Sequence, residues 1–355
     1  MTADRLNRRP VSYDLFSKYR EAIMGLAVLG ILVFHFTEDC KTEGVRFYGW
    51  VRIYYTYVRS SGVDIFMMVS GLGLYYSMKK SPERSLKDYY RHRFVRILVP
   101  YCIVAVPALI WRDLIFEGQT LLYWFSDLTF LTFFREGRLW FWFIPLIGFC
   151  YLISPYIIRL FEDDTDDTSA QMRLLTVFNF TMVVALIFSV QIPKLHNRLN
   201  IAWMRIFPFV LGVYFGRAAY SKKRISFSSM CLFGCSLLLL PLAKYEESIL
   251  WRCALAAANG FLYFLFILIL EFAPVGITKL PIAILNRIGH YTLEIYLTHT
   301  MVRGVFVMTR HPCCWLRYEA LMLVLSGTLT LLLKSISARL IPLLEHGKKA
   351  KAAVR

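Results

Sequence analysis

The residues of this 355-residue chain that could do chemistry sit inside apolar stretches, where ionisable groups are costly. Each charge placed in hydrocarbon costs about 2.5–3.5 kcal/mol on insertion scales, so each is a candidate functional residue. His35 ends a run that is otherwise apolar from Ala22 to Phe36. An imidazole titrates near neutrality, so it could take a proton from a hydroxyl or carry a group itself. A histidine bonded to a neighbouring helix, or snorkelling outward, explains the same position. Asp64 and Ser70 interrupt the next apolar run, 61–73. Asp64 suits a carboxylate partner for a histidine or an outer-interface residue. Ser70–Gly71–Leu72–Gly73 reads as a packing surface, because no nucleophile elbow surrounds the serine. Arg93 and Arg96 open the third run three residues apart on one helical face, a spacing suited to phosphates. Positive-inside anchoring accounts for either arginine alone. Between Gly289 and Thr300, helical spacing puts Thr292, Tyr296 and His299 on one stripe. Tyr291, Glu294 and Thr298 fall on an adjacent stripe. Glu294 is expected near mid-membrane, where a carboxylate must be paired, hydrogen-bonded or protonated. Arg205 is one candidate partner. No metal-ligand spacing is present.

The elements that must position these residues follow from composition. Hydrophobic residues make up 57% of the chain and charged ones only 18%, with mean hydropathy +0.50. A soluble domain carries closer to a quarter charged residues, so much of this surface faces something apolar. Stretches long enough to cross ~30 Å of hydrocarbon fall at about 20–38, 60–78, 94–116, 139–160, 172–192, 202–219, 226–244, 249–273, 285–308 and 317–343. Leu121 to Phe134 is too short and reads as a re-entrant or interfacial helix. The expected fold is therefore an all-α, polytopic bundle of about ten transmembrane helices. It forms one domain over 20–343, between a cytoplasmic segment 1–19 and a basic cytoplasmic tail 344–355.

Charge patterning sets the expected orientation. The net charge of +17 concentrates in alternate loops, 79–93 and 220–225, and in the tail, all read as cytoplasmic. Nucleic acid is not needed to explain it. The acidic cluster Glu162, Asp163, Asp164, Asp166 and Asp167 also falls inside, against the pattern, though acidic residues orient weakly. The first run lacks a small-residue cleavage pattern and reads as a retained anchor. Both termini are expected in the cytoplasm, in a multi-pass protein of the plasma (cytoplasmic) membrane. Cys102, Cys150, Cys231, Cys235 and Cys253 read as small core hydrophobes, whereas Cys40, Cys313 and Cys314 lie near outer loops where a disulfide could form.

Taken in order, these segments resemble the acyltransferase-3 family of integral membrane O-acyltransferases over about residues 18–310. The resemblance rests on Val33–Phe34–His35, Gly62–Val63–Asp64–Ile65–Phe66, Arg93–Phe94–Val95–Arg96–Ile97 with Pro100–Tyr101, and Leu139–Trp140–Phe141–Trp142–Phe143. Arg205–Ile206–Phe207–Pro208 through Gly212, and Tyr291 through His299, complete it. It implies about ten helices and an acyl-coenzyme A donor, acetyl-CoA in the simplest case, with a hydroxyl of a cell-surface glycan or its lipid-linked precursor as acceptor. His35 then corresponds to the family's essential histidine, with Glu294 or Asp64 as its carboxylate. Arg93 and Arg96 correspond to the arginine pair that would hold the donor. His299, Tyr296 and Arg205 are the candidate acceptor-side residues. Where the family places a basic residue eleven positions before the histidine, this chain has Met24; Arg20, one turn earlier, is the candidate substitute. The rival is a transporter or flippase for a polysaccharide or lipid-linked precursor, whose buried charges would form a substrate or proton path. It calls for related halves, which the sequence lacks. A sensory or structural membrane protein is the third and least economical reading. The acceptor, the acyl chain length and the oligomeric state are not encoded in any motif.

Overall fold

The computed structural model describes residues 11–57, 61–162, 167–225 and 249–346. The described residues form fifteen α-helices and no strand: α1 Asp14–Lys18, α2 Arg20–Thr42, α3 Gly49–Tyr57, α4 Ser61–Lys80, α5 Leu86–Leu109, α6 Leu121–Leu128, α7 Leu131–Glu136, α8 Phe143–Leu160, α9 Asp167–Gln191, α10 Pro193–Trp203, α11 Ile206–Tyr220, α12 Ile249–Phe272, α13 Val275–Gly289, α14 Thr292–Met308 and α15 Leu316–His346. The expected span at 226–244, the acidic residues Asp163, Asp164 and Asp166, most of the basic tail, and the side chains of Cys231, Cys235 and Cys253 lie outside the described residues.

Among the described residues, six runs are long and apolar enough to cross a membrane: α2, α5 with its extension to Phe116, α8, α9 from Thr168, Pro193–Tyr220 and α15 to Glu345. The all-α membrane bundle is as expected, and these six do not establish the count of about ten. Asp64, three serines and three glycines make α4 less apolar than these six. The stretch expected to run unbroken over 285–308 is two helices, divided after Gly289, and α14 is 17 residues long. Leu121–Phe134 does not span; it folds into α6 and α7, each started on its own. The Thr120 hydroxyl accepts from the Tyr123 amide at the start of α6, and Phe130 sits at φ 65° ahead of α7. Apolar residues that face outward, such as Phe180 and Val183 on α9 and Val324 and Leu331 on α15, are the lipid-facing surface such a bundle requires.

Close backbone approach builds the centre. A Cβ on Gly71 of α4 would strike the Phe209 carbonyl of α11, and one on Gly212 would strike the Met68 carbonyl of α4. Small residues at both positions let the two backbones touch, the interface device of membrane helices. Gly25 of α2 and Gly289 of α13 form a second such contact, through Leu285 and Glu21. Within Ser70–Gly73, Gly71 therefore makes the packing contact the glycines suggested, while Ser70 lines the cavity described below. Gly30 is approached instead by Tyr54, whose hydroxyl donates to its carbonyl at 2.6 Å.

The ends of the helices sort by charge. Lys79 pairs with Glu162 at 3.0 Å, the Tyr13 amide donates to the Lys223 carbonyl, and His92 contacts Glu345, so these segments share one end. Asp39 pairs with Arg303 and Cys40 donates to the Cys314 carbonyl at the opposite end, where Cys40, Cys313 and Cys314 are free thiols. The Cys313 thiol in the α14–α15 loop is pushed up to about 11 by burial, which keeps it protonated and unreactive. Cys150 is buried as expected, but Cys102 faces outward from α5.

Candidate active site

A cavity of about 430 Å³ runs inside the bundle between α2, α4, α8 and α14. On α2 its wall extends from Met24 to Glu38, and on α14 from Thr292 to Met308. At 1.5 Å per residue it is about 20 Å long, roughly two-thirds of the ~30 Å depth of a bilayer's hydrocarbon. Its wall is mostly apolar, with His35, Glu38, Arg205, Tyr296, Thr300 and Arg303 as the convergent polar groups.

His35 is brought there by α2, and α14 lies against it. The His35 and His299 rings are 5.4 Å apart between centroids. Four residues on from His299, Arg303 reaches back across the helix pair. Its Nε donates to Asp39 Oδ2 at 2.8 Å, its Nη2 to Glu38 Oε2 at 2.9 Å, and a further bond runs to Asp39 Oδ1. This is the forked guanidinium–carboxylate pairing that fixes geometry as well as charge. Glu38, one turn beyond His35, stands between the two: its Oε2 is 3.6 Å from His35 Nδ1. That separation is too long for a hydrogen bond but gives a direct electrostatic contact. His299 is 1% exposed, and neither of its ring nitrogens has a hydrogen-bond partner. It packs beside the cavity wall rather than forming it.

The remaining candidates divide. Tyr296 and Arg205 line the cavity. The Tyr296 hydroxyl accepts from the Phe143 amide at 3.3 Å, which ties α14 to the start of α8. Arg205 lies 3.6 Å from Asp64 Oδ1 through its Nε, and its guanidinium sits 5.0 Å from the Trp142 ring centre. Asp64 also accepts from buried Asn259 at 2.8 Å. The carboxylate of α4 thus serves Arg205, not His35. Glu294 is turned away from the cavity: it is in the first turn of α14 and pairs with Lys334 of α15 at 3.0 Å. The helix break after Gly289 is the reason, because it moves Glu294 from mid-helix to a helix start, where a negative charge is favourable. Thr298 on the same side bonds Thr330 and the Ser326 carbonyl.

At the other end of the cavity, Arg93 lies over the Tyr89 ring and within electrostatic reach of Tyr151, a wall residue. Its buried Nε has no hydrogen-bond partner. Arg96 turns outward and pairs with Glu345 at 3.3 Å, so the two arginines are divided: Arg93 stands behind the wall residue Tyr151, and Arg96 is engaged by α15. Arg20 is exposed, with its guanidinium against Gly73, while Met24 occupies the wall.

Three features escaped the sequence reading. Glu38 was visible as an i+3 neighbour of His35, and Arg303 as a charge inside an apolar stretch four residues after His299. The third is a buried ionic group. Arg112 contacts Asp113 at 2.7 Å and Asp127, while Arg138 contacts Asp113 at 3.2 Å and also Glu117. Burial works against the charge on Arg138, but the hydrogen bond to Glu117 and the attraction of Glu117, Tyr123 and Asp113 together outweigh it, which keeps its pKa above the ordinary arginine value. The Arg112 guanidinium lies 4.5 Å from the ring centre of Trp140, a cavity residue.

Fold and site together define a helical membrane protein with a single histidine presented to a long internal cavity. The family profile described as "Acyltransferase domain" matches residues 21–333, nearly the whole chain, and the chain belongs to this acyltransferase-3 family. Membership marks it as a membrane acyltransferase. No curated protein and no solved structure gives a match.

Proposed function

We propose that the protein is an O-acyltransferase that moves an acyl group, in the simplest case acetyl, from cytoplasmic acyl-CoA to a hydroxyl of a cell-surface glycan or its lipid-linked precursor. The observation that carries this reading is the cavity itself: one histidine lies along a passage whose wall holds Tyr151, within electrostatic reach of Arg93, toward one end and Glu38 and Arg303 at the other. The Arg93 end also carries Lys79, Lys80, Arg91, Lys222 and Lys223 and is taken as cytoplasmic. On that reading both termini are cytoplasmic, and the protein crosses the plasma (cytoplasmic) membrane about ten times. A nucleotide thioester is too polar to cross, so its phosphates would stay near Arg93 while its arm reaches into the bundle.

His35 is the general base. With Nδ1 turned to Glu38, Nε2 is the nitrogen left for the cavity. It takes the proton of the acceptor hydroxyl as that oxygen attacks the thioester carbonyl. The C–O bond forms, the C–S bond breaks, and the thiolate recovers the proton from the imidazolium. Glu38, held by Arg303, stabilises that imidazolium and orients the ring. Holding both substrates in one water-poor passage supplies proximity that a bimolecular encounter lacks.

The test uses sealed vesicles and radiolabelled acetyl-CoA offered to one face at a time. Label should enter alkali-labile ester only when the donor is on the face bearing Arg93. Labelling from the other face alone would overturn the orientation, and no labelling from either would overturn the donor.

A further inference from the structure

Resting on the acyltransferase reading, we infer that Trp140 is the stacking platform of an acceptor subsite that takes a single pyranose ring, with Glu38 and Arg303 as hydrogen-bonding partners of its hydroxyls. Trp140 lines the cavity at the Glu38 and Arg303 end. Its ring is held from two directions. The guanidinium of Arg112 lies 4.5 Å from its centre, and Arg112 is itself 2% exposed and clamped by Asp113 and Asp127. Against its edge stands Gly304 of α14, where an added Cβ would collide with Cζ2 of the indole. The protein thus buries two carboxylates and an arginine beside one indole, which fixes a flat apolar surface facing an internal space.

An interfacial tryptophan anchoring the helix to lipid headgroups needs none of this, because it works from an outward-facing, mobile ring. A fixed indole beside a carboxylate and a guanidinium suits a sugar. The C–H face of a pyranose is apolar and stacks on an aromatic ring, while its rim of hydroxyls needs paired donors and acceptors. Both kinds of partner are present: Glu38 accepts and Arg303 donates, and both line the same space. The spacing also suits the reaction. Gly304, which seats Trp140, follows His299 by five residues, about 7.5 Å along the α14 axis. A ring on the indole therefore lies one step along the passage from the His35–His299 contact, with a hydroxyl directed toward His35.

The experiment measures binding of methyl glycosides of glucose, galactose, mannose and N-acetylglucosamine to the purified full-length protein by saturation-transfer NMR. At least one should bind, with saturation strongest on the protons of its apolar face. Trp140→Ala should raise the dissociation constant about tenfold or more, and Trp140→Phe much less, with acetyl-CoA affinity serving as the check that each variant is folded. Gly304→Ala, which displaces the indole without removing it, should weaken the same binding. The inference is overturned if no pyranoside binds, or if Trp140→Ala binds as the wild type does. Trp140-dependent sugar binding in a protein that never turns over acyl-CoA would sink the donor reading and leave the subsite standing. Turnover onto an acceptor that is not a sugar would do the reverse.

Discussion

Replacing Glu38 with glutamine isolates the contact that separates this account from one based on Glu294. The side chain keeps its shape, Arg303 keeps Asp39, and only the charge beside His35 is lost. Two unit charges 3.6 Å apart interact by ~4.6 kcal/mol at an effective dielectric of 20 and ~1.2 kcal/mol in bulk water. The Glu38 side chain is 44% exposed, so solvent screening pulls the figure toward the lower limit. About 1–2 kcal/mol of imidazolium stabilisation remains, which is roughly five- to thirtyfold in kcat. The assay is steady-state transfer of radiolabel from acetyl-CoA at saturating donor, with thermal stability measured in parallel. The expected result is a fall in kcat of that size, a donor KM within about twofold, and an unchanged Tm, because Asp39 still anchors Arg303. Wild-type kcat in this variant would refute the idea that Glu38 positions His35. A loss of stability with normal kcat would recast Glu38 as a helix-pairing residue.

Glu294→Gln should lower stability by about 1 kcal/mol, seen as a lower Tm, because a partly exposed Lys334 is left without its counter-ion, with little change in kcat. The opposite pattern, full stability with lost activity, would return Glu294 to the site. Arg93→Ala should raise the donor KM roughly ten- to hundredfold, and Arg96→Ala by much less because Arg96 is engaged by Glu345. Equal effects would mean that both arginines reach the donor. Gly212→Ala drives a methyl group into the Met68 carbonyl and should lower Tm by several degrees without changing donor KM; an unaffected Tm would show that α4 and α11 can separate freely.

How much of this was legible depended on whether a residue acts within its own helix or across two. His35 was legible because an imidazole in an apolar run has few structural excuses, and the glycines of α2 and α4 announced close packing. Leu121 to Phe134 was legible as non-spanning from its length alone. Glu294 was recognised as a carboxylate that needs a partner, but its pairing with Lys334 depends on how α14 and α15 meet, and hydropathy does not register the break after Gly289. Asp64 and Arg205 were each recognised, but their mutual pairing depends on how α4 and α11 meet, which no periodicity specifies. The partition of Arg93 from Arg96 depends on Glu345, more than 240 positions away. Glu38, Arg303 and Arg112 carried a readable signal, a charge in or beside a spanning run, and the same cost argument applied to His35 applies to them.

The central claim is that acyl groups pass from acyl-CoA to a hydroxyl beside His35. Its most direct test is transfer of label from acetyl-CoA into alkali-labile ester by wild type and His35→Ala at equal membrane abundance. Loss of a general base should cut transfer by about two to four orders of magnitude while the variant still binds acetyl-CoA. Transfer at the wild-type rate by His35→Ala would contradict the account.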